Sequence, residues 1–226
     1  MDLKKEGKKG MDRKLAVIVG AGPGMGESLA KEFGSHGYRI VLVSRNQDRL
    51  DTLKAAVEKA GFECHTQVAD AADVSSLDRA FTQIKEKYGV VELLVYNAFI
   101  LSQDTPTSLG NEDLMHHFQV DVASALYCAK KVLPDMLAAK TGGILISGGG
   151  FALYPNAKYT CISVNKAALR TLAMVLHDEL KEKGIYVGTV TIMGEIKPGT
   201  HFDPADIAAK YWELYTKKDA VEYLFQ

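Results

Sequence analysis

Short apolar runs alternate with longer amphipathic stretches along the chain from Leu15 onward. The apolar runs have the length of strands, and they are LAVIV (15–19), RIVLV (39–43), CHTQVA (64–69), VVELLVY (90–96), GILIS (143–147) and IYVGTVTI (185–192). The stretches between them have apolar residues at helical spacing over about 24–36, 46–60, 73–88, 111–137 and 160–183. Buried strands that are each followed by a helix are typical of a parallel sheet covered on both faces. The pattern therefore predicts one doubly wound α/β domain over residues 14–226.

The start of the chain differs from this pattern. Its first fourteen residues contain six Lys or Arg and only one large aliphatic residue, Leu3. No apolar run follows, so this segment is not a secretory signal. A basic arm for nucleic acid is the alternative, but charges without aromatic residues are more typical of a solvated chain end. We expect residues 1–13 to form a flexible basic tail.

Composition narrows the class of protein. Of 226 residues, 47% are hydrophobic and 24% are charged, which is enough apolar material for a sizeable core. The net charge of −1 gives no field that would attract nucleic acid, and no apolar run reaches the roughly 20 residues of a membrane span. The cysteines at positions 64, 128 and 161 lie far apart, without the spacing of a zinc site or a disulfide framework. We expect a cytoplasmic protein without a metal.

The clearest motif is the glycine loop GAGPGMG, which separates the first predicted strand from the first predicted helix. It fits GxxxGxG at Gly20, Gly24 and Gly26; it does not fit GxGxxG, because Met25 and Glu27 stand where the last glycine would be. Glycines in this context allow a tight turn and bring backbone N–H groups close to a pyrophosphate at the helix N-terminus. The loop therefore predicts a dinucleotide site.

The end of the second predicted strand indicates which dinucleotide binds. An acid there would accept hydrogen bonds from a free ribose 2′-hydroxyl and repel a 2′-phosphate. The chain instead has Ser44, which is neutral, and Arg45, whose guanidinium can pair with a phosphate through two hydrogen bonds. These residues favour NADP(H) over NAD(H).

These features resemble the short-chain dehydrogenase/reductase family, whose glycine loop has this longer spacing. The similarity extends from about residue 15 to residue 223, through the segments VADAAD, LVYNAFI, NKAAL and DPADIA. It implies a Rossmann-type domain with a parallel sheet of about seven strands. It also implies an NADP(H)-dependent oxidoreductase that transfers a hydride to or from a carbonyl or alcohol substrate.

The resemblance also implies further cofactor contacts. Asp70 falls where the family contacts adenine, and Lys166 where the family lysine contacts the nicotinamide ribose. Asn97 and Ala98 match part of the family's Asn-Asn-Ala-Gly turn, in which Tyr96 and Phe99 replace the first Asn and the Gly.

After the sixth strand the family has Pro-Gly, followed by a residue that meets the carboxamide. Met193 replaces that proline, Gly194 is kept and Ile196 is the expected carboxamide contact. Only a few residues then separate Gly199 from the next helix, so the substrate lid is shortened.

The catalytic residues of the family are mostly absent. The family's proton donor is a tyrosine four residues before the lysine, and Ile162 stands there. The family's serine falls within positions 148–150, all glycine, which leaves Ser147 as a near neighbour, and the family's asparagine aligns with Asp121. By resemblance, Lys166, Asp121 and Ser147 are the candidates that remain.

A different tyrosine is a candidate proton donor. Tyr159 lies three residues before Ile162, nearly one helical turn away, and is our predicted substitute acid. Two other tyrosines stand four residues before a lysine, but Tyr154 falls in a predicted loop and Tyr127 on the long middle helix, where packing is the simpler role.

Two functions remain open from the sequence. The first is an NADP(H)-dependent oxidoreductase with atypical or weakened proton delivery, acting on an unidentified small molecule. The alternative is a non-catalytic NADP(H)-binding relative that acts as a sensor or interaction module. In either case the resemblance implies a homodimer or homotetramer, built through the helices that begin near residues 111 and 160.

Three further residues are of types that occur in metal sites or in nucleic-acid stacking sites. His116 and His117 are neighbours on a helix, about 100° apart, so we do not expect them to share one site. Tyr211 near the C-terminus is expected in the core, because no basic stripe accompanies it.

Overall fold

Seven parallel strands form one sheet in the order β3-β2-β1-β4-β5-β6-β7. The computed structural model describes residues 14–226, so the predicted tail over 1–13 lies outside the described residues. The strands are β1 (Leu15–Val19), β2 (Arg39–Ser44), β3 (Cys64–Val68), β4 (Leu93–Tyr96), β5 (Gly143–Gly149), β6 (Tyr186–Ile192) and β7 (Glu222–Phe225). The doubly wound α/β architecture predicted from the sequence is confirmed.

Helices connect successive strands and cover both faces of the sheet. They are α1 (Met25–Ser35), α2 (Gln47–Lys59), α3 (Val74–Tyr88), α4 (Asn111–Phe118), α5 (Ser124–Ala139), α6 (Thr160–Leu180) and α7 (Pro204–Lys217). Short 3₁₀ turns follow β5 and α6. None of the described helices is both long and apolar enough to cross a membrane.

The strands are apolar at consecutive positions because both sides of the sheet are buried. On β1 and β2, Val17 and Val41 pack into the core beneath α3, α5 and α6. Their neighbours Ile18 and Leu42 pack into the second core beneath α1, α2 and α7. All four are fully buried. Burial of apolar surface is the main driving force for folding, and here it acts on both layers at once.

The helix predicted over 111–137 is interrupted. A π-helical turn, Gln119–Ala123, separates α4 from α5. Such wide turns often mark functional positions. Here the turn contains Asp121, whose carboxylate is fully buried. The period of apolar residues continues through the turn, so the sequence pattern gave no sign of it.

The order of the strands creates a crevice between β1 and β4. The chain leaves β1 toward β2 on one side, and β4 lies on the other side of β1. Ligands of doubly wound folds bind at the carboxyl ends of the strands at such a reversal. Gly20, the first residue after β1, adopts a φ of 81° there, and a Cβ on it would lie 2.3 Å from the Ala98 nitrogen. Only glycine allows this close approach of the two loops.

We predict that Gly20→Ala destabilises the fold by more than about 2 kcal/mol, because it combines a left-handed φ with a steric clash. Gly22→Ala is the matched control, since a Cβ there has no atom within 4 Å. We expect the control to stay within about 0.5 kcal/mol of the wild type in urea unfolding. Equal losses in the two variants would contradict the packing of Gly20 on Ala98.

Candidate functional site

A groove of about 960 Å³ opens at the carboxyl ends of β1, β2 and β4. The residues predicted to bind a dinucleotide that line it are Gly20, Gly24, Met25, Gly26, Ser44, Arg45, Asp70, Asn97, Ala98 and Ile196. Two predicted cofactor residues, Gly194 and Lys166, are not among the described residues that line this groove. The structure thus brings most of the predicted set together, from segments far apart in the sequence.

The glycine loop leads directly into the N-terminus of α1. Gly24 is the residue before the helix and has a φ of 79°, which favours glycine. Met25 and Gly26 begin the helix, so their N–H groups have no partner within it. A Cβ on Gly26 would lie 2.9 Å from the Cα of Ala21, so the loop packs closely on the helix. Backbone N–H groups at a helix N-terminus form a site for an anion such as a pyrophosphate.

Two arginines lie at the end of the groove beside β2. Arg45 and Arg49 both line it and are exposed, and Asn46 between them caps α2 by accepting a hydrogen bond from the Arg49 N–H at 2.8 Å. In the described part of the chain, neither guanidinium forms an ion pair with an acid. Arg49 lies in the first turn of α2, four residues after Arg45, and its position in a basic segment is the sequence signal that could have indicated it.

Asp70 also lines the groove. Its carboxylate accepts a hydrogen bond from the Ala72 N–H at 2.9 Å, and its own N–H donates to Ser76 Oγ at 3.1 Å. The turn after β3 is therefore held in one conformation. Asp70 lies at the groove, as the resemblance implied.

The side chain of Asn97 joins three segments of the site. Its Nδ2 donates to the Gly20 carbonyl at 3.0 Å, and its Oδ1 accepts from Ser147 Oγ at 2.8 Å. The hydroxyl of Tyr211 in turn donates to Ser147 Oγ at 2.8 Å. A partly buried chain of hydrogen bonds thus extends from α7 through β5 to the glycine loop. Tyr211 was expected only as core, and nothing in its sequence neighbourhood indicates this contact.

Lys166 on α6 is buried, and its Nζ donates to the Ser147 carbonyl at 2.7 Å. Burial lowers the pKa of this amine to about 8, and the charge of Asp121 opposes that effect. The ring of Phe99 lies over the amine, with its centroid 4.9 Å from Nζ. Phe99 lines the groove and Lys166 is not among the described residues that line it, so the cofactor contact of Lys166 stays a prediction.

The structure shows the hydrogen-bond partners of Ser147 and Asp121, whose catalytic roles stay predictions. The Ser147 hydroxyl donates to Asn97 Oδ1 and accepts a hydrogen bond from the Tyr211 hydroxyl. Asp121 accepts hydrogen bonds from the Ile100 N–H at 2.8 Å and from Asn165 Nδ2 at 2.9 Å. Burial raises the pKa of the Asp121 carboxyl. Asp121 therefore anchors the loop after β4 to α6.

The predicted substitute acid, Tyr159, lies just before α6. Its hydroxyl accepts a hydrogen bond from Gln103 Nε2 at 3.0 Å, and its ring stacks on Phe151 with the centroids 5.3 Å apart. No contact among the described residues joins Tyr159 to Lys166. The two other tyrosines also lie elsewhere: Tyr154 is exposed, and Tyr127 donates to Asp78.

One glycine after β5 has room for a larger side chain next to Lys166. A Cβ on Gly149 would lie 3.5 Å from Lys166 Cε, an ordinary van der Waals distance. A Cβ on Gly148 would instead lie 2.6 Å from Thr191 Oγ1, which is a clash. Within the predicted range 148–150, Gly149 is therefore the position from which a serine hydroxyl could reach the amine. Ile162, which is buried, lies one helical turn before Lys166.

The sequence pattern also gave no sign of a contact between Cys161 and His117. Cys161 Sγ lies 3.2 Å from His117 Nδ1, and burial raises the pKa of the thiol to about 11. His117 is partly buried and His116 is exposed. Among residues 14–226, no three His, Cys, Asp or Glu side chains are arranged to hold a metal ion.

Comparison with sequence families and curated proteins gives consistent matches. A family model described as "short chain dehydrogenase" matches residues 14–200. The chain is 29% identical over 180 residues to oxidoreductase UcpA of Escherichia coli, covering 78% of this chain and 67% of that protein. It is 27% identical over 218 residues to a 3beta-hydroxysteroid dehydrogenase of Mediterraneibacter gnavus, covering 94% and 78%.

Solved structures share the fold. A metagenomic short-chain oxidoreductase in complex with NADP superposes with a TM-score of 0.86 at 24% identity, over 93% of this chain and 96% of that one. An actinorhodin polyketide ketoreductase with NADPH gives a TM-score of 0.88 at 20% identity, over 95% of each chain.

The buried amine makes stability depend on pH. The folded-state pKa of Lys166 is about 8, below its ordinary value of 10.5, so burial opposes folding fully below pH 8 and stops opposing it as the pH rises past 10.5. We predict that the free energy of unfolding of the wild type, relative to Lys166→Met, rises by about 2 kcal/mol from pH 7 to pH 10. Urea unfolding of both proteins measures it. A constant difference across this range would mean that the amine is not buried as described.

Proposed function

This chain belongs to the short-chain dehydrogenase family, and on that basis we propose that it is an NADP(H)-dependent oxidoreductase with weakened proton delivery. The observation that carries the choice of NADP(H) is the pair of arginines, Arg45 and Arg49, in the groove with no acidic partner in the described chain. When bound, the nicotinamide of NADP(H) supplies or accepts a hydride equivalent, and the protein has to handle the accompanying proton.

The basic side chains of the groove and the backbone N–H groups at the start of α1 suit a dinucleotide that carries a 2′-phosphate. The N–H groups at the start of α1 would hold the pyrophosphate, since Met25 and Gly26 have no partners within the helix. Arg45 and Arg49 would hold the 2′-phosphate, with Ser44 beside them as a neutral neighbour. An acid at position 44 would repel that phosphate, and none is present.

The proton-handling side of the site contains Lys166, whose charge is coupled to that of Asp121. Lys166 Nζ, with a pKa near 8, can hold a proton at neutral pH. Ile162, one turn before it, has no proton to give, and Gly149 offers no hydroxyl to orient a carbonyl oxygen. The Tyr159 hydroxyl is bonded to Gln103 instead. We assign proton delivery to water rather than to a side chain.

The expected consequence is slow turnover rather than none. Loss of a general acid typically lowers a rate by about 10²–10⁴ fold, while positioning of the reactants still contributes. UcpA and the hydroxysteroid dehydrogenase carry the names of enzymes, which does not favour the non-catalytic alternative.

We also propose that the protein acts as a homodimer or homotetramer. Large apolar side chains remain exposed on the helices implied by the resemblance, with Val164 and Val175 on α6 and Leu126 on α5. Covering them with a second copy would remove this apolar surface from water. The cytoplasmic location stays a prediction.

We predict that the wild type binds NADPH more tightly than NADH. Arg45→Ala should weaken NADPH binding by about tenfold or more, because a charge-assisted hydrogen bond to phosphate is lost, and should leave NADH binding unchanged. Calorimetric titration of nucleotide-free protein measures both ligands. The control is Arg79→Ala, an exposed arginine on α3 outside the groove. Equal affinity of the wild type for the two cofactors would refute the proposed selectivity.

We further predict that Ile162→Tyr, combined with Gly149→Ser, raises the turnover of NADPH with 4-nitrobenzaldehyde. The gain should be at least about tenfold and is bounded by the 10²–10⁴ fold that a general acid supplies. Ile162→Phe with Gly149→Ser is the matched control, since it adds a ring of similar size without the hydroxyl. Thermal unfolding and NADPH titration establish that both variants fold. A gain of the same size with phenylalanine would show that the hydroxyl is irrelevant.

A further inference from the structure

The ring of Phe99 separates Lys166 from the groove. It lies 4.9 Å from Lys166 Nζ, within the range of a cation–π contact. Phe99 is 47% exposed and lines the groove, whereas Lys166 is 6% exposed and is not among the described residues that line it. The amine that the family uses next to its cofactor is therefore covered here by an aromatic side chain.

The backbone on both sides of Phe99 is held in place. Asn97 donates its N–H to the Val19 carbonyl at 2.8 Å and its Nδ2 to the Gly20 carbonyl at 3.0 Å. On the other side, Ile100 donates its N–H to the buried carboxylate of Asp121 at 2.8 Å. Movement of the ring therefore requires a change of side-chain rotamer but no rearrangement of the loop.

The ring itself is held weakly. Within the described chain, no other aromatic ring stacks on Phe99, and its one specific contact is the amine of Lys166. Half of its surface faces water. A ligand that offers the Lys166 amine hydrogen bonds, and that places its own ring against Phe99 or in its space, can displace the contact at low cost.

We propose that Phe99 is an aromatic gate for Lys166. The gate is closed when the adjoining end of the groove is empty, and it opens when the nicotinamide end of NADP(H) enters. This inference rests on the proposed function, because it takes NADP(H) as the ligand. The gate excludes water from the amine in the empty protein and exposes the amine only when the cofactor is in place.

The binding test separates the two ends of the groove. Removing the gate in Phe99→Ala should tighten NADPH binding by about two- to thirtyfold, the range of a lost cation–π contact. Binding of adenosine 2′,5′-bisphosphate, which lacks the nicotinamide end, should not change. Phe99→Leu, which keeps bulk but not the ring, should give a smaller gain. Leu101→Ala, at an exposed position of the same loop, is the control and should bind both ligands like the wild type.

A second measurement tests directly whether the ring of Phe99 shields the Lys166 amine from solvent. Brief treatment with acetic anhydride at about pH 8, followed by mass spectrometry of the peptide that contains Lys166, measures how accessible the amine is. Acetylation should be slow in the wild type and in Leu101→Ala and faster in Phe99→Ala. NADPH should protect Lys166 in Phe99→Ala, whereas adenosine 2′,5′-bisphosphate should not.

The outcomes distinguish the gate from the proposed function. If the bisphosphate and NADPH both bind but Phe99→Ala binds NADPH no more tightly than the wild type, the gate is overturned and the function stands. If neither ligand binds any variant, the NADP(H) function is overturned, and the gate falls with it. Equal acetylation of Lys166 in the wild type and Phe99→Ala overturns the gate in either case.

Discussion

The site depends on the hydrogen bonds of the Asn97 side-chain amide. One end of this amide holds the Gly20 carbonyl at the start of the glycine loop, and the other accepts the hydroxyl of Ser147 at the end of β5. The Ser147 hydroxyl also accepts a hydrogen bond from the Tyr211 hydroxyl, and the Ser147 carbonyl accepts one from Lys166 Nζ. Because these groups are mostly buried, a lost partner would leave a polar group unsatisfied. These hydrogen bonds fix the glycine loop, which is the phosphate end of the site, to the part that contains Lys166, which is the proton end.

The two ends of the site have different chemistry. The phosphate end is open and basic, with backbone N–H groups at α1 and two arginines in the groove. At the other end, Lys166 is buried with the ring of Phe99 over its amine, and the buried Ile162 lies one helical turn before it. Burial both lowers the pKa of that amine and removes it from water. This contrast is the basis of the proposal that the protein binds its cofactor and turns over slowly.

The sequence predicted the fold, and it also predicted which residues of the glycine loop and of the end of β2 line the groove, because these signals are local. Apolar runs and a glycine loop between strand and helix depend on neighbouring residues, and they placed Gly20 and Arg45 at the groove. The other end depends on contacts between distant segments. The sheet register turns the Ser147 hydroxyl toward Tyr211, and the π-helical turn buries Asp121. Neither contact is encoded in a local pattern, so the sequence could not predict the surroundings of these two residues, and their catalytic roles stay predictions.

The most direct test of this account is a single-turnover reaction of the wild type with NADPH deuterated at both C4 positions. With 4-nitrobenzaldehyde in excess, the account predicts slow formation of 4-nitrobenzyl alcohol that carries one deuterium from the cofactor at its carbinol carbon. The rate should depend on protein concentration and should vanish when a competing dinucleotide fills the groove. Bound NADPH that never transfers its label, to this aldehyde or to a panel of other aldehydes and ketones, would contradict the oxidoreductase function.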